Sequence, residues 1–222
     1  MIDLSFPVRG ETLPTDHAYA LYGALARAVP ALHGGGLRLL LASIPGEYVG
    51  GGQLRLVAPR SRLRLRLPAE AISAALPLAG KALNVAGHTV RLGVPQVLPL
   101  VPAAALVARL VTMKRSDRRE PSGTKRYMDP AAFLGAARRQ LEALGIRGEP
   151  AIPLISQGPH AGKPRRRVLR IKERRVVGYA LQVTGLTAAE SIRLQEHGLG
   201  GRTRMGCGFF VPLRCKGDRH GV

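Results

Sequence analysis

The hydrophobic and polar positions of this chain alternate between two periods. From Arg62 to Leu67 the alternation is strict, with Leu63, Leu65 and Leu67 on one face and Arg62, Arg64 and Arg66 on the other. Period two marks a half-buried strand, here with a basic outer face. Between Ala18 and Val29 the period is helical, and Ala18, Leu21, Tyr22, Leu25 and Val29 form one stripe. Thr15 or Asp16 can cap that helix, and Pro30 ends it. Strand-like runs at 2–6, 37–41, 53–57, 82–85 and 89–94 and a short helix at 69–78 complete this half. The order is close to βαββαβ, the split-βαβ or ferredoxin-like unit.

A second half begins near Pro102. A strand is predicted at 106–113, followed by an exposed basic loop at 114–128. Asp129 as N-cap and Pro130 as first residue predict a helix to about Leu144, with Phe133, Leu134, Ala137, Leu141 and Leu144 as its stripe. Strands follow near 151–155, 168–172 and 176–183, with a turn at Glu173-Arg174-Arg175. Thr187-Ala188-Ala189-Glu190 is a capping box, so a helix runs to about His197. A glycine-rich loop and a last strand at 209–213 close the pattern. The expected fold is α+β, with tandem ferredoxin-like (βαββαβ) halves at 1–101 and 102–222 and a C-terminal glycine-rich loop.

Charge narrows the partners. Lys and Arg number 34 against 14 Asp and Glu, a net charge of +20, which points to a polyanion and above all to nucleic acid. The N-terminal residues lack the pattern of a signal peptide, and the apolar stretch 94–111 is broken by Pro95, Pro99 and Pro102. No membrane association is expected. The two cysteines form neither a zinc pattern nor a disulfide framework, which suits the reducing cytoplasm.

Two stretches are suited to phosphate. The first, Gly198-Leu199-Gly200-Gly201-Arg202-Thr203-Arg204-Met205-Gly206-Cys207-Gly208, has two G-x-G pairs around an insert with two arginines. Bare N–H groups in such a loop make an anion-binding concavity, and arginines add bidentate donors. No Gly-Lys-Ser/Thr ends it, and it lies between a helix and a strand, so it is neither a Walker loop nor a dinucleotide fingerprint. A helix cap at Gly198 would need one glycine, not two G-x-G pairs. The second stretch carries eight basic residues: Lys163, Arg165, Arg166, Arg167, Arg170, Lys172, Arg174 and Arg175. Such a segment can follow an RNA backbone. A basic edge that guards against strand-to-strand aggregation needs fewer charges. Aromatic residues are few and not interleaved with these charges, which argues for backbone or shape recognition.

Six histidines, His17, His33, His88, His160, His197 and His220, are the candidates for chemistry. No His/Asp/Glu cluster has metal-ligand spacing, so neither a metal nor a cofactor is expected. A histidine can cut RNA without metal by taking the proton of a 2′-OH, which attacks the adjacent phosphorus, or by protonating the leaving 5′-oxygen.

The full pattern resembles the CRISPR-associated RAMP superfamily. Gly198-Leu199-Gly200, the insert 201–205 and Gly206-Cys207-Gly208 match its glycine signature without a gap. More specifically the chain is similar to the sixth Cas family, the endoribonucleases that process CRISPR precursor RNA. The matching stretches are Phe6-Pro7-Val8, Leu13-Pro14-Thr15-Asp16-His17, Ala20-Leu21-Tyr22-Gly23-Ala24-Leu25, Leu32-His33, Gly162-Lys163-Pro164-Arg165-Arg166-Arg167, and the region from Gly178-Tyr179 to Phe210. Only the tail from Arg214 lies outside the resemblance. It implies metal-independent cleavage within each repeat, usually at the 3′ base of a stem-loop, leaving a 2′,3′-cyclic phosphate and a 5′-hydroxyl. It also implies retention on the guide RNA and membership of a Cascade-like complex. His33, just after the first helix, matches the catalytic position; His17 is the second choice and Tyr22 the nearest tyrosine partner. Gly198, Gly200, Arg202, Arg204, Gly206 and Gly208, with the Lys163–Arg175 segment, are then expected to hold RNA. Two other readings stand beside this one. Superfamily members without cleavage exist, which gives a non-catalytic RNA-binding subunit. A ribosomal or generic RNA-binding protein fits the charge but leaves the double G-x-G unexplained.

Overall fold

The structure is a computed structural model of the 222-residue chain, and describes residues 1–33, 36–114 and 128–213. It is a mixed α+β fold of antiparallel sheets and few helices. The chain divides into two compact units. The first consists of 1–100, 168–176 and 202–207; the remaining described residues form the second.

The first unit contains β1 (Ile2–Arg9), β2 (Thr12–Pro14), α1 (Ala18–Ala28), β3 (Leu40–Leu41), β4 (Glu47–Gly50), β5 (Gln53–Arg55), β6 (Arg62–Leu67), α2 (Ile72–Ala75), β7 (Ala82–Val85), β8 (His88–Leu92) and β9 (Gln96–Pro99). Its main sheet has the order β3-β6-β1-β8-β7, with β9 also on β1, and a small sheet has the order β2-β5-β4. The register of β1 on β6 places Leu4 opposite Leu65 and Phe6 opposite Leu63, and all four side chains are fully buried. Leu21, Tyr22 and Leu25 of α1 belong to the same core. Each fully buried leucine contributes about 1.5–3 kcal/mol.

The alternation in β6 is present, but its second face is not uniformly solvated. Arg66 is 1 % exposed. Register sets it opposite Asp3, and the pair is bidentate, with Nε to Oδ1 at 2.6 Å and Nη2 to Oδ2 at 3.0 Å. A carboxylate in register turns an expected surface cation into a buried pair.

The start of α1 also differs from expectation. Neither Thr15 nor Asp16 caps it; His17 holds the N-cap position without a side-chain cap bond. The Asp16 carboxylate accepts the Arg170 N–H at 2.7 Å. The expected 69–78 helix is one α-turn between two 3-10 turns, Ala69–Ala71 and Leu76–Leu78.

The second unit has β10 (Ala105–Val111), α3 (Pro130–Ala143), β11 (Glu149–Ala151), most of β13 (Arg174–Thr184), α4 (Ala188–His197) and β14 (Phe210–Pro212), while most of β12 (Arg166–Ile171) and the first residues of β13 belong to the first unit. Its sheet order is β11-β13-β10-β14, with β12 on β13. Both long helices start where their caps predict. Asp129 accepts the N–H groups of Ala131 and Ala132 at 2.9 and 3.0 Å, and Thr187 and Glu190 form the reciprocal box of α4. Phe133, Ala137 and Leu141 bury the stripe of α3. The turn between β12 and β13 is Lys172-Glu173, with Lys172 at φ +52°; it shares Glu173 with the expected 173–175 turn, while Arg174 and Arg175 already belong to β13. Most of the expected basic loop, 115–127, lies outside the described residues, as does the tail from 214 with His220.

Candidate functional site

α1 ends at Ala28, and the 3-10 turn Pro30–Leu32 follows directly. Leu32 is fully buried and anchors that turn, while the next residue, His33, is exposed. The His33 N–H closes the turn on the Pro30 carbonyl at 2.9 Å. This short, anchored turn places the imidazole beside Tyr22 of α1. The Tyr22 hydroxyl lies 2.9 Å from His33 Nδ1, and the two ring centroids are 5.7 Å apart. With Nδ1 taken by Tyr22, Nε2 is the nitrogen left to meet a ligand.

Arg204 completes the arrangement. Its Nη1 donates to the Tyr22 hydroxyl at 3.3 Å and to the His33 carbonyl at 3.1 Å, and its Nη2 donates to the Leu37 carbonyl. One rigid guanidinium thus holds a tyrosine and two points of the 33–37 segment. Tyr22 and His33 line a cleft of about 580 Å³ together with Tyr19, Arg27, Asn84 and Met205. Such a site can position a phosphodiester and move a proton at His33 Nε2.

The other histidines are placed differently. His17 is 1 % exposed, with Nδ1 2.7 Å from the Pro14 carbonyl and Nε2 accepting the Ile44 N–H at 3.0 Å. The Ile44 donor makes Nε2 the acceptor, so Nδ1 carries the proton and donates to Pro14. Both ring nitrogens are engaged in joining the start of α1 to residue 44. His17 and His33 are not hydrogen-bonded to each other. His88 pairs with Thr12 Oγ1 at 3.0 Å, and His197 Nδ1 donates to the Arg193 carbonyl at 2.9 Å. His160 lines a separate cavity in the second unit.

The glycine loop serves close packing. Gly200 and Gly208 take φ +78° and +66°, and a Cβ there would meet the Thr112 and Leu199 carbonyl oxygens at 2.4 and 2.3 Å. The expectation of bare N–H groups is corrected at four of the glycines, beginning with Gly198, whose N–H donates to the Leu194 carbonyl at 2.9 Å. Gly200 N–H donates to Gln140 Oε1 at 2.9 Å, Gly201 N–H to the Thr112 carbonyl at 2.9 Å, and Gly208 N–H to the Leu110 carbonyl at 2.8 Å. Gly198 is the C-cap of α4 at positive φ (+63°), and Gly206 is buried with φ +77°. Arg202 is exposed in a left-handed conformation, φ +64°. Arg204, by contrast, is directed at Tyr22 and His33. The arginine-bearing insert was visible in the sequence, but this use of Arg204 was not. The Gln140 contact had no sequence signal at all.

In the basic stretch Lys163, Arg166, Arg167, Arg170, Lys172, Arg174 and Arg175 are exposed, and Arg165 is half-buried. Desolvation of the guanidinium by surrounding protein atoms, although the residue as a whole is exposed, and then the like charges of Arg109 and Arg165 hold Arg167 below its usual pKa. Like charges held this close favour an anion. Among the described residues no group of three or more His, Cys, Asp or Glu side chains could hold a metal ion, and no helix is long and apolar enough to cross a membrane.

Comparison with known proteins matches this architecture. The family model described as Cas6 Crispr matches residues 2–215. A CRISPR-associated endonuclease Cas6 of Myxococcus xanthus (strain DK1622) is 42 % identical over 211 residues, 95 % of this chain and 81 % of that protein. Two solved structures share the fold with a TM-score of 0.64. One is a Cas6-related protein from Pyrococcus furiosus, 11 % identical, over 96 % of this chain and 98 % of that one. The other is described as a RAMP protein binding different RNA substrates, 13 % identical, over 96 % and 99 %. With the family model and the 42 % relative spanning nearly the whole chain, this protein belongs to the Cas6 family of CRISPR-associated proteins.

Proposed function

We propose that this chain is an endoribonuclease that cuts CRISPR repeat RNA in the precursor transcript, without metal, by 2′-OH attack. The observation that carries the reading is an exposed histidine held through Nδ1 by Tyr22, with Arg204 on both, at the edge of an open cleft. In the reaction the 2′-oxygen loses its proton and bonds to phosphorus. The bond from phosphorus to the 5′-oxygen breaks, and that oxygen gains a proton. The products are a 2′,3′-cyclic phosphate and a 5′-hydroxyl. His33 Nε2 moves the proton at one of these two oxygens, a role that typically contributes about 10²- to 10⁴-fold in rate. Tyr22 and Arg204 orient the ring. His17, buried with both nitrogens engaged, is read as structural.

The exposed cations of the 163–175 segment would hold the repeat stem-loop, and Arg202 a flanking phosphate. The product would stay bound as a guide RNA and enter a Cascade-like complex. We also infer that the halves 1–101 and 102–222 are ferredoxin-like. The strand orders β3-β6-β1-β8 and β11-β13-β10-β14, each with a helix after its first and third strands, support this. The buried Cys207, which is in no disulfide, suits a cytoplasmic location.

The test is labelled repeat RNA in EDTA with wild type, His33→Ala and His17→Ala. Wild type should cut, and His33→Ala should bind without cutting. His17→Ala should lose thermal stability along with activity. A folded wild type that binds its cognate repeat but leaves it whole would instead favour a non-catalytic RNA-binding subunit.

A further inference from the structure

The second unit holds a cavity of about 390 Å³ that the proposed reaction does not use. It is lined by Pro130 at the start of α3, Ile155, His160, Lys163 and Pro164 of the loop before β12, Arg166 of β12 and Tyr179 of β13. We propose that this cavity is a binding subsite for one unpaired nucleotide of RNA, its base against the apolar floor and its phosphate on the cationic rim. The proposal rests on the RNA-binding reading above.

Three observations support that class of ligand. The floor is apolar and fixed. The Tyr179 ring packs on Phe133 at a centroid distance of 5.0 Å, and its hydroxyl donates to the Met128 carbonyl at 2.9 Å. Burial raises the pKa of that hydroxyl above its usual value, in keeping with a neutral ring surface. The rim carries His160, Lys163 and Arg166, and among the described residues no acidic side chain lines the cavity. Asp129, whose charge acts on Tyr179, is occupied as the cap of α3.

The loop is also ordered in advance. Ile155 N–H donates to the Lys163 carbonyl and Gly162 N–H to the Ile155 carbonyl, both at 2.9 Å. Lys163 N–H meets the His160 carbonyl at 3.1 Å, and Arg165 N–H the Pro153 carbonyl at 2.9 Å. A ligand therefore meets a formed pocket and orders little chain on binding. An apolar floor with convergent cations suits a planar base joined to a phosphate better than an inorganic anion.

The test fills the cavity without changing its charge, by Ile155→Trp. In one arm, a nucleoside monophosphate is titrated in the millimolar range against wild type and variant while the His160 imidazole resonances are followed. Wild type should shift saturably and Ile155→Trp should not. In the other arm, affinity is measured for a repeat stem-loop with and without an unpaired flank. Ile155→Trp should lose about tenfold on the flanked RNA and keep its affinity for the bare stem-loop, as expected for loss of one stacked base. No shift in wild type, or equal loss on both RNAs, overturns the subsite. Matched thermal melting of wild type and variant excludes misfolding, and Ile155→Phe serves if the tryptophan variant does not fold. Failure of the nuclease reading appears separately, as uncut repeat RNA, and leaves both binding arms readable.

Discussion

The Tyr22 hydroxyl sits 2.9 Å from His33 Nδ1, across the turn that ends α1. This bond fixes the plane of an otherwise exposed imidazole and leaves Nε2 as the nitrogen open to a ligand. Tyr22→Phe keeps the ring packing and removes only the hydroxyl. Single-turnover cleavage at saturating RNA should slow by about tenfold, the equivalent of one net hydrogen bond, with the RNA Kd unchanged.

Arg204 distinguishes a positioning role from a phosphate-holding one. Lysine cannot meet the Tyr22 hydroxyl and the His33 and Leu37 carbonyls together. Arg204→Lys should therefore slow single-turnover cleavage by about tenfold or more at saturating RNA and displace the pH–rate profile. Its RNA Kd and salt slope should match wild type. A salt slope reduced by about 0.7–0.9 would assign Arg204 to phosphate instead.

The glycine loop predicts a contrast between neighbours. Gly200→Ala and Gly208→Ala each place a Cβ against a backbone carbonyl at positive φ, and should each cost more than about 1 kcal/mol in denaturant unfolding. Gly201→Ala meets nothing within 4 Å and should stay within about 0.5 kcal/mol of wild type.

The Asp3–Arg66 pair is buried on both sides, with side chains 8 % and 1 % exposed. Asp3→Ala leaves a buried, desolvated guanidinium and should cost about 3–5 kcal/mol. Replacing both residues by apolar ones, Asp3→Leu with Arg66→Met, should recover most of that loss in the same unfolding measurement.

Glu190 gives a stability that depends on pH. The Arg147 N–H and then Thr187, through its N–H and hydroxyl, stabilise its carboxylate and lower its pKa. A carboxyl lowered in the folded state adds stability above its unfolded pKa of about 4.3, and that stability is lost as pH falls through the folded value. The Tm gap between wild type and Glu190→Gln should be full above about pH 5 and close in stronger acid. A gap independent of pH would show that the charge is not what the helix cap uses.

Elements with both a period and a cap were the most legible. α3 and α4 begin at the residues their caps name, because capping is a contact between residues three apart. The β4 strand, with Tyr48 and Val49 exposed, gave no alternation to read, since neither face enters the core. Arg66 read as a surface cation because its partner lies 63 positions away and only strand register brings them together.

The site divides in the same way. Local chemistry in the sequence already determined the two long helices, the basic stretch, the glycine spacing and the shortlist of histidines. Tertiary structure alone decided that His33 is exposed beside Tyr22, that His17 is closed off by Pro14 and Ile44, and that Arg204 reaches back to the end of the first helix. Exposure and hydrogen-bond partners depend on contacts between distant segments. Periodicity and capping act over a few residues and cannot specify them.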